Sequence, residues 1–223
     1  MLDDRMAITE NAVVREGARG IPTLLSKDSF YGFDAELGRT EQRKTYRPVS
    51  FILFALEWQI APNSPLVHRI VHLLLYAGVC AAALLTLRRL FSQAYGDESA
   101  NRARWLREWI PFGATLLFAL HPIHTEVVCN IKSRDEIAAA LCLLLSLNFF
   151  LKSMDDRSPV AVVWSSAFWA LGLLSKESAL CFLPVFPLSL YFFRPNLETK
   201  DMLRSRVPAA AIAVAYLALW FGV

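Results

Sequence analysis

The sequence predicts an all-α fold: a polytopic membrane bundle in which about six helices cross the bilayer. Its 223 residues are 55% hydrophobic and 19% charged, with a mean hydropathy of +0.38. The apolar residues form long uninterrupted blocks, which soluble domains of this length rarely contain. In a bilayer such blocks must be helical, because each backbone polar group needs a partner within its own segment. The blocks cover residues 71–87, 110–120, 137–151, 160–174, 179–193 and 207–223.

Several of these blocks are shorter than the ~20 residues that a full span requires. Uncharged Trp, Tyr, Pro and Ser neighbours extend most of them, and helices inside a bundle tolerate polar ends. We therefore expect two regions. Residues 1–65 form a large non-cytoplasmic segment with interfacial helices, and residues 66–223 form the helix bundle.

Loop charges predict the orientation, because Lys and Arg accumulate in the cytoplasmic loops of membrane proteins. The loops after the first, third and fifth predicted spans hold eleven Lys and Arg residues, whereas those after the second and fourth hold three. The first set is therefore predicted to be cytoplasmic. Residues 1–65, the polar stretch 121–136 and the turn 175–177 then share the outer face. Because the basic residues fall mainly in loops, the net charge of +3 does not indicate nucleic acid as a partner.

The N-terminal region is expected to lie along the membrane surface. Residues 21–33 mix apolar and charged side chains, which suits a short interfacial helix, although plain loop packing is the alternative. A second interfacial helix is predicted to begin at Pro48, since proline is favoured at the first helical position. The next span begins near Leu66. His68 and His72 lie four residues apart and could chelate a metal, but the absence of a third ligand at matching spacing favours two interface residues.

The ends of the sequence suggest a piece of a longer protein. Residues 1–20 are polar and charged, with no signal-peptide pattern. The loop charges nevertheless place them outside, where a preceding span would have to carry them. We expect a transmembrane helix before Met1.

The stretch between the second and third apolar blocks is the first candidate site. Pro122 is predicted to end the second span, and the third is predicted to begin at Ile137. Ionisable residues clustered at the mouth of a helix pair indicate a functional site, although an ordinary polar loop is the alternative. The clustered residues are His121, His124, Glu126, Lys132, Arg134, Asp135 and Glu136.

Five motifs together resemble the transmembrane and tetratricopeptide-repeat O-mannosyltransferase family, over roughly residues 1–190. An acidic pair, Asp3-Asp4, opens the outer segment, and an aromatic-Arg-Pro motif, Tyr46-Arg47-Pro48, precedes the interfacial helix. LFALHPIHTEVV and SRDEIAAALC include the two ends of the polar stretch 121–136, and a Leu-Leu-Ser-Lys-Glu turn ends at Glu177. The family has GT-C-type glycosyltransferase architecture and includes bacterial relatives. Its first transmembrane helix and its repeats have no counterpart in this sequence.

The resemblance implies transfer of a sugar, mannose in this family, from a polyprenyl-phosphate carrier to a protein hydroxyl on the non-cytoplasmic face. Asp4 or Asp3 would be the base that accepts the hydroxyl proton. Arg47 and Lys176 would bind the donor phosphate, whose leaving-group charge needs fixed cations. A divalent cation is possible in such sites, but no metal ligand is assigned. The cavity would be lined by His121, His124, Glu126, Arg134 and Asp135.

Each of these assignments has a structural alternative. Asp3-Asp4 could be a solvated terminal pair, and Arg47 could extend to lipid headgroups. Lys176-Glu177 could be a local ion pair at a tight turn, Arg134-Asp135 could be another, and His121 could be a helix-terminal hydrogen-bonding residue. For the whole chain, a small-solute transporter and a non-catalytic scaffold are the rival functions. A transporter should place its binding groups near the bilayer midplane, whereas these charges cluster at one face.

The expected location is a multi-pass protein of the bacterial inner membrane, or of the endoplasmic reticulum in a eukaryote. Three of the four cysteines lie within apolar runs, where a thiol behaves as a small hydrophobe. No disulfide framework is indicated, and no N-glycosylation sequon is present.

Overall fold

A computed structural model describes residues 4–38, 45–95 and 100–194. All regular structure within these ranges is helical, and they contain no strand. The all-α prediction is confirmed for this part of the chain. Asp3 and the predicted span 207–223 lie outside the described residues.

The N-terminal segment is a series of short helices followed by one longer helix. One helix was predicted over residues 21–33, but the structure has two. Asp28 breaks the helix between them, since its carboxylate accepts hydrogen bonds from the backbone N–H groups of Phe30 and Thr45. In order, the elements are a π-helical turn Arg5–Thr9, α1 (Ala12–Arg15), a 3₁₀ turn Gly17–Gly20, α2 (Ile21–Ser26) and α3 (Tyr31–Glu36).

Helix α4 (Pro48–Ile60) begins at the predicted proline and carries the apolar core of the N-terminal segment. Phe51, Phe54 and Ala55 are at most 4% exposed and face the short helices. Burial of these side chains explains why α4 packs against the rest of the segment instead of standing alone. The other buried members of this core are Ala7, Ile8, Val13, Val14, Leu24, Phe30 and Ile131.

From Pro65 to Arg194 the described residues form packed helices, of which α9 is central. The third span was expected to begin at Ile137, but α9 begins at Arg134, directly after a 3₁₀ turn. Arg134 and Asp135 therefore lie on its first helical turn. The elements are α5 (Pro65–Ala94), α6 (Ala100–Arg104), a π turn Trp105–Trp109, α7 (Ile110–Leu120), α8 (His124–Cys129), a 3₁₀ turn Ile131–Ser133, α9 (Arg134–Asp156), α10 (Pro159–Ser175), a 3₁₀ turn Glu177–Phe182 and α11 (Val185–Phe193).

Helix α9 packs against α5 on one side and α10 on the other. Small side chains bring α9 and α10 close together: Ser146 Oγ donates to the Ser165 carbonyl at 2.8 Å, and Ser165 Oγ donates to the Ser146 carbonyl at 2.9 Å. These reciprocal bonds give the two buried hydroxyls acceptors in an apolar surrounding. The adjacent core comprises Leu90, Leu143, Leu147, Phe150, Leu151, Trp169, Leu173, Ala179, Phe186 and Leu190.

Two helices of the described residues are long and apolar enough to cross a membrane: Pro65–Ala94 and the continuous helical stretch Ile131–Asp156. The other apolar helices are shorter, so a bundle of six spans stays a prediction. The outer surfaces of several helices carry exposed large apolar side chains, an arrangement that suits lipid better than water. Examples are Leu66, Leu74 and Leu85 on α5, Leu117 and Leu120 on α7, and Val160, Val163 and Trp164 on α10.

Candidate functional site

Arg47 is positioned by the loop that connects α3 to α4. The Ser29 N–H donates to the Thr45 carbonyl at 2.9 Å, and Ser29 Oγ accepts the Arg47 N–H at 2.7 Å. The Tyr46 hydroxyl donates to the Leu25 carbonyl at 2.7 Å. These bonds hold residues 45–47 against the loop before α3. Arg47 is thereby placed at the N-terminal boundary of α4.

The Arg47 guanidinium joins the three polar segments that were predicted to share one face. Its Nη1 donates to Asp135 Oδ2 at 2.5 Å, while Nε and Nη2 donate to the two carboxylate oxygens of Glu177 at 3.0 and 2.5 Å. Arg47 belongs to the N-terminal segment, Asp135 to the stretch 121–136 and Glu177 to the turn after α10. The spatial convergence of these segments is confirmed, and the alternative that Arg47 extends freely to lipid headgroups is wrong.

Burial and charge act in opposite directions on this contact. Burial would raise the pKa of the Glu177 carboxyl, but hydrogen bonds from Arg47 and the nearby positive charges hold that pKa below its ordinary value. Burial likewise disfavours the charged form of Arg47, yet Glu177 and Asp135 outweigh this effect and raise the pKa of its guanidinium. Arg47 and Glu177 are therefore both charged near neutral pH.

Lys176 forms the second ion pair of the site, and its partner is Glu136 rather than Glu177. Lys176 Nζ lies 2.5 Å from Glu136 Oε1. The predicted alternative of a local Lys176-Glu177 pair is therefore wrong, because the extended backbone at Lys176 sends the two side chains to different partners. We call Arg47, Asp135, Glu136, Lys176 and Glu177 the charged cluster. It combines two cations with three carboxylates.

Asp4 lies at the same end of α9. Its Oδ1 accepts the backbone N–H of Lys132 at 2.8 Å, three residues before Asp135. Lys132 also lies over the Phe30 ring at 6.0 Å. Asp4, the predicted base, and Arg47, the predicted phosphate ligand, therefore both bind the segment between Lys132 and Asp135, although they lie 43 positions apart in the sequence.

Arg134 lies behind the charged cluster in the protein interior. Its side chain is 0% exposed, Nη1 lies 2.5 Å from Glu57 Oε1, and Nη2 donates to the His68 carbonyl at 2.8 Å. Its guanidinium carbon lies 4.3 Å from the Phe54 ring centre. The alternative of an Arg134-Asp135 pair is wrong, since consecutive helical residues point in different directions. We call Glu57, His68 and Arg134 the buried triad.

Sequence reasoning did not predict that Glu57 pairs with Arg134, Glu136 with Lys176 or Glu177 with Arg47. For Glu57 a signal was present, because it interrupts a 14-residue apolar run, and a charge in such a run requires a partner. Its partners come from α5 and α9, which no local pattern identifies. Glu136 and Glu177 are partly exposed members of segments that the sequence did single out, but their spacing does not indicate which cation each one contacts.

His121, His124 and Glu126 lie on a separate part of the same polar stretch. His124 Nδ1 lies 3.1 Å from the oxygen of the Tyr76 hydroxyl, which donates to the Ala119 carbonyl, and the His124 ring lies 4.4 Å from that of Phe118. His121 is exposed, and its Nδ1 accepts the Ile123 N–H at 3.2 Å, in agreement with the helix-terminal alternative. Glu126 is exposed. The described side-chain hydrogen bonds of His121 and His124 go to Ile123 and Tyr76, which lie outside the charged cluster.

The metal alternative for His68 and His72 finds no support. His68 Nδ1 contacts Glu57, and His72 Nε2 donates to the Val127 carbonyl at 2.9 Å. Among the described residues, no group of three or more His, Cys, Asp and Glu side chains is arranged to hold a metal ion. Asp135 and Glu177 share Arg47, and Glu136 pairs with Lys176. A divalent cation stays a prediction, and no step is assigned to one.

The described residues are helical, two of their helices are long and apolar enough to cross a membrane, and the charged cluster lies at the start of the central helix. A sequence model of the dolichyl-phosphate-mannose-protein mannosyltransferase family matches residues 100–221, more than half of the chain. The chain belongs to this family.

Its curated relatives are named protein O-mannosyl-transferases. The chain is 29% identical to Tmtc3 of Drosophila melanogaster over 189 residues, covering 81% of the chain and 20% of the relative. It is 31% identical to Tmtc2 of the same organism, covering 80% and 18%, and 30% identical to mouse TMTC2, covering 75% and 19%. The chain thus spans about a fifth of the length of these relatives. No solved structure matches it at a significant level.

Proposed function

We propose that this chain is a membrane glycosyltransferase that moves a sugar, mannose by its family, from a polyprenyl-phosphate carrier to a protein hydroxyl. The bundle of about six spans would place residues 1–65 and the charged cluster on the non-cytoplasmic face. The observation that carries the proposal is the convergence of Asp4, Arg47 and Lys176 around the start of α9, in a chain of the mannosyltransferase family.

The reaction requires a base, an electrophile and a stabilised leaving group. The acceptor oxygen attacks the anomeric carbon, forming the new glycosidic bond while the bond from that carbon to the phosphate oxygen breaks. The hydroxyl proton passes to a carboxylate, for which we propose Asp4, with Asp3 as its neighbour in sequence. The departing polyprenyl phosphate gains negative charge on oxygen, which a guanidinium stabilises through two parallel hydrogen bonds.

Lys176 supplies a second positive charge beside Arg47 and would contact the same phosphate. Asp135 holds the Arg47 guanidinium from the side of α9, so its proposed role is to orient a cation rather than to contact the sugar. Arg134 is fully buried on Glu57, and we propose that it supports the start of α9 from behind. His121, His124 and Glu126 remain proposed contacts to the sugar or the acceptor.

Binding and transfer measurements separate these roles. We would measure binding of dolichyl-phosphate mannose to the chain in phosphatidylcholine nanodiscs and mannose transfer to a Ser/Thr-containing peptide. Arg47→Ala should weaken binding by about tenfold or more, and Arg47→Lys by less, because the loss removes charge-assisted hydrogen bonds. Asp4→Ala should keep donor binding and lower the transfer rate by about 10²-fold or more.

Arg194→Ala is the matched control for Arg47→Ala. Arg194 also pairs with an aspartate on α9, Asp155, but near the opposite end of that helix. This variant should bind the donor as the unmodified chain does. Full donor binding by Arg47→Ala would remove Arg47 from the site, and full transfer by Asp4→Ala would remove Asp4.

A further inference from the structure

The Arg47 guanidinium already carries an anion in the position that a phosphate would take. Glu177 receives two parallel hydrogen bonds, from Nε at 3.0 Å and from Nη2 at 2.5 Å. A phosphate binds arginine through the same paired N–H groups, because its oxygens have similar spacing to those of a carboxylate. A lipid-linked phosphate can use this side of the guanidinium only if Glu177 leaves it.

The two carboxylates on Arg47 differ in how firmly they are held. The Asp135 side chain is 9% exposed and lies on the first turn of α9, where its second oxygen, Oδ1, accepts the Glu136 N–H at 2.8 Å. The Glu177 side chain is 41% exposed, and its hydrogen bonds to another residue go to Arg47. Separation of Glu177 from Arg47 therefore costs little, because the Glu177 carboxylate is already partly in contact with solvent. Separation of Asp135 from Arg47 would leave a buried carboxylate without its cation.

We propose that the Glu177 carboxylate is an exchangeable partner of the Arg47 guanidinium. It holds the Arg47 side chain in place until the phosphate of an incoming lipid-linked sugar displaces it. The inference rests on the proposed function, since it assumes that Arg47 meets a phosphate. Glu177 acts here as a positioning residue, and Asp135 stays bound to Nη1 throughout the exchange. No covalent bond changes.

Charge balance favours this exchange over simple addition. The charged cluster contains three carboxylates and two cations, so a phosphate that joined without displacing a carboxylate would add to an existing negative excess. A sugar-linked polyprenyl phosphate is a phosphodiester with a single negative charge. It therefore replaces one carboxylate charge for charge, and the released Glu177 remains beside Lys176 in sequence.

The test compares donor affinity for charge-neutralising variants of the full chain in phosphatidylcholine nanodiscs. With dolichyl-phosphate mannose as the probe, Glu177→Gln should bind about threefold more tightly, the range expected when an exposed competing ion pair is removed. Glu177→Asp, which keeps the charge, should bind like the unmodified chain. Asp135→Asn should bind more weakly, because Arg47 loses its buried anchor.

Asp155→Asn is the matched control, because it neutralises an arginine-bound carboxylate on the same helix α9 about 30 Å away. It should leave donor affinity unchanged. Phosphatidylglycerol, a phosphodiester of the bilayer itself, serves as a competing ligand. If phosphatidylglycerol displaces the probe from Glu177→Gln as well as free dolichyl-phosphate mannose does, the Arg47 guanidinium binds lipid headgroups in general, and the assignment to a lipid-linked sugar is overturned. If phosphatidylglycerol does not compete, the guanidinium is assigned to the lipid-linked sugar.

The outcomes distinguish this inference from the proposed function. Donor binding that depends on Arg47 but is unchanged or weakened in Glu177→Gln would overturn the exchange and leave the transferase proposal intact. The same change in Glu177→Gln and Asp155→Asn would also overturn it, because net charge alone would then explain the effect. Absence of donor binding in every variant and in the unmodified chain would overturn both.

Discussion

Arg47 and Arg134 are both bound by carboxylates, yet they occupy opposite environments. Arg134 is fully buried with Glu57, whereas the Arg47 side chain is 20% exposed at the surface of the site. A buried ion pair contributes to stability only while both charges remain, because the loss of one strands the other in a region of low dielectric constant. A partly exposed pair can exchange partners. This difference in burial separates a structural cation from a candidate ligand-binding cation.

Removal of the buried cation should destabilise the fold. We expect Arg134→Met to lower the free energy of unfolding by about 3–5 kcal/mol, because the buried Glu57 carboxyl would lose its arginine partner. Thermal unfolding in detergent measures this. The double variant Arg134→Met/Glu57→Gln should recover a large part of the loss, while the exposed control Arg19→Met should have almost no effect. Equal loss in the single and double variants would contradict the paired-charge interpretation.

The Arg47–Glu177 contact should make stability dependent on acid pH. The pKa of Glu177 is lower in the folded protein than its ordinary value of 4.5, so the unfolded chain binds the extra proton first as the pH falls. The contribution is therefore complete above about pH 4.5 and is lost as the pH falls through the lowered folded pKa. The contribution should be about 1 kcal/mol or less, since solvent screens the partly exposed pair.

Thermal unfolding of the chain and of Glu177→Gln between pH 3 and pH 7 tests this window. The difference in stability between the two proteins should be constant near neutral pH and shrink in acid. A difference that grows as the pH falls would have the wrong sign and would contradict a lowered pKa.

At the scale of elements, the short N-terminal helices are held by side-chain hydrogen bonds rather than by helix propensity. Asn11 is fully buried and caps α1, since its Oδ1 accepts the N–H groups of Val13 and Val14 at 3.1 and 3.2 Å. Its Nδ2 donates to the Ser29 carbonyl at 3.1 Å, which ties α1 to the loop that positions Arg47. Gly32 passes close to this amide: a Cβ there would lie 2.2 Å from Asn11 Oδ1.

Loss of the Asn11 side chain should loosen the whole segment. Asn11→Ala removes the cap and leaves the Ser29 carbonyl without its donor, so we expect a loss of about 2 kcal/mol in unfolding free energy. Asn11→Asp keeps the acceptor and should lose less. Hydrogen exchange of residues 12–47 would locate the change. If exchange increases only within α1, the link from Asn11 to the Arg47 loop does not hold.

Sequence patterns predicted the elements better than their boundaries. The proline at the start of α4 and the start of α5 near Leu66 were predicted within a residue, because proline favours the first helical turn. The division of residues 21–33 was missed, since the Asp28 side chain competes with the helix for backbone N–H groups. The early start of α9 was missed for a related reason: a 3₁₀ turn continues directly into the helix.

At the scale of the whole molecule, α9 connects the candidate site to the opposite end of the bundle. Its 23 residues extend about 35 Å, which is close to the hydrocarbon thickness of a bilayer. The charged cluster lies at its first turn and the Arg194–Asp155 pair at its last. A helix of this length with ion pairs at both ends suits a transmembrane position, with the site at one surface.

The proposed topology predicts opposite accessibility for the two ends of α9. Cys129 is exposed and lies just before α9, and the substitution Asp156→Cys would place a second cysteine at the last residue of α9. With the other cysteines replaced by serine, a membrane-impermeant maleimide applied to intact cells with an accessible outer face should modify Cys129. It should modify Asp156→Cys only after permeabilisation. Equal modification of both positions in intact cells would contradict a transmembrane α9.

The sequence by itself determined the helical class, the apolar blocks, the polar stretches between them and the motifs shared with the mannosyltransferase family. These are local properties: hydropathy, proline positions and residue order can be read from short windows. Only the tertiary structure decided which charges meet. Arg47 pairs with Glu177, 130 residues away, and Glu57 with Arg134, 77 residues away. Ion-pair partners depend on how helices pack, and packing joins residues whose separation leaves no periodic signal in the sequence.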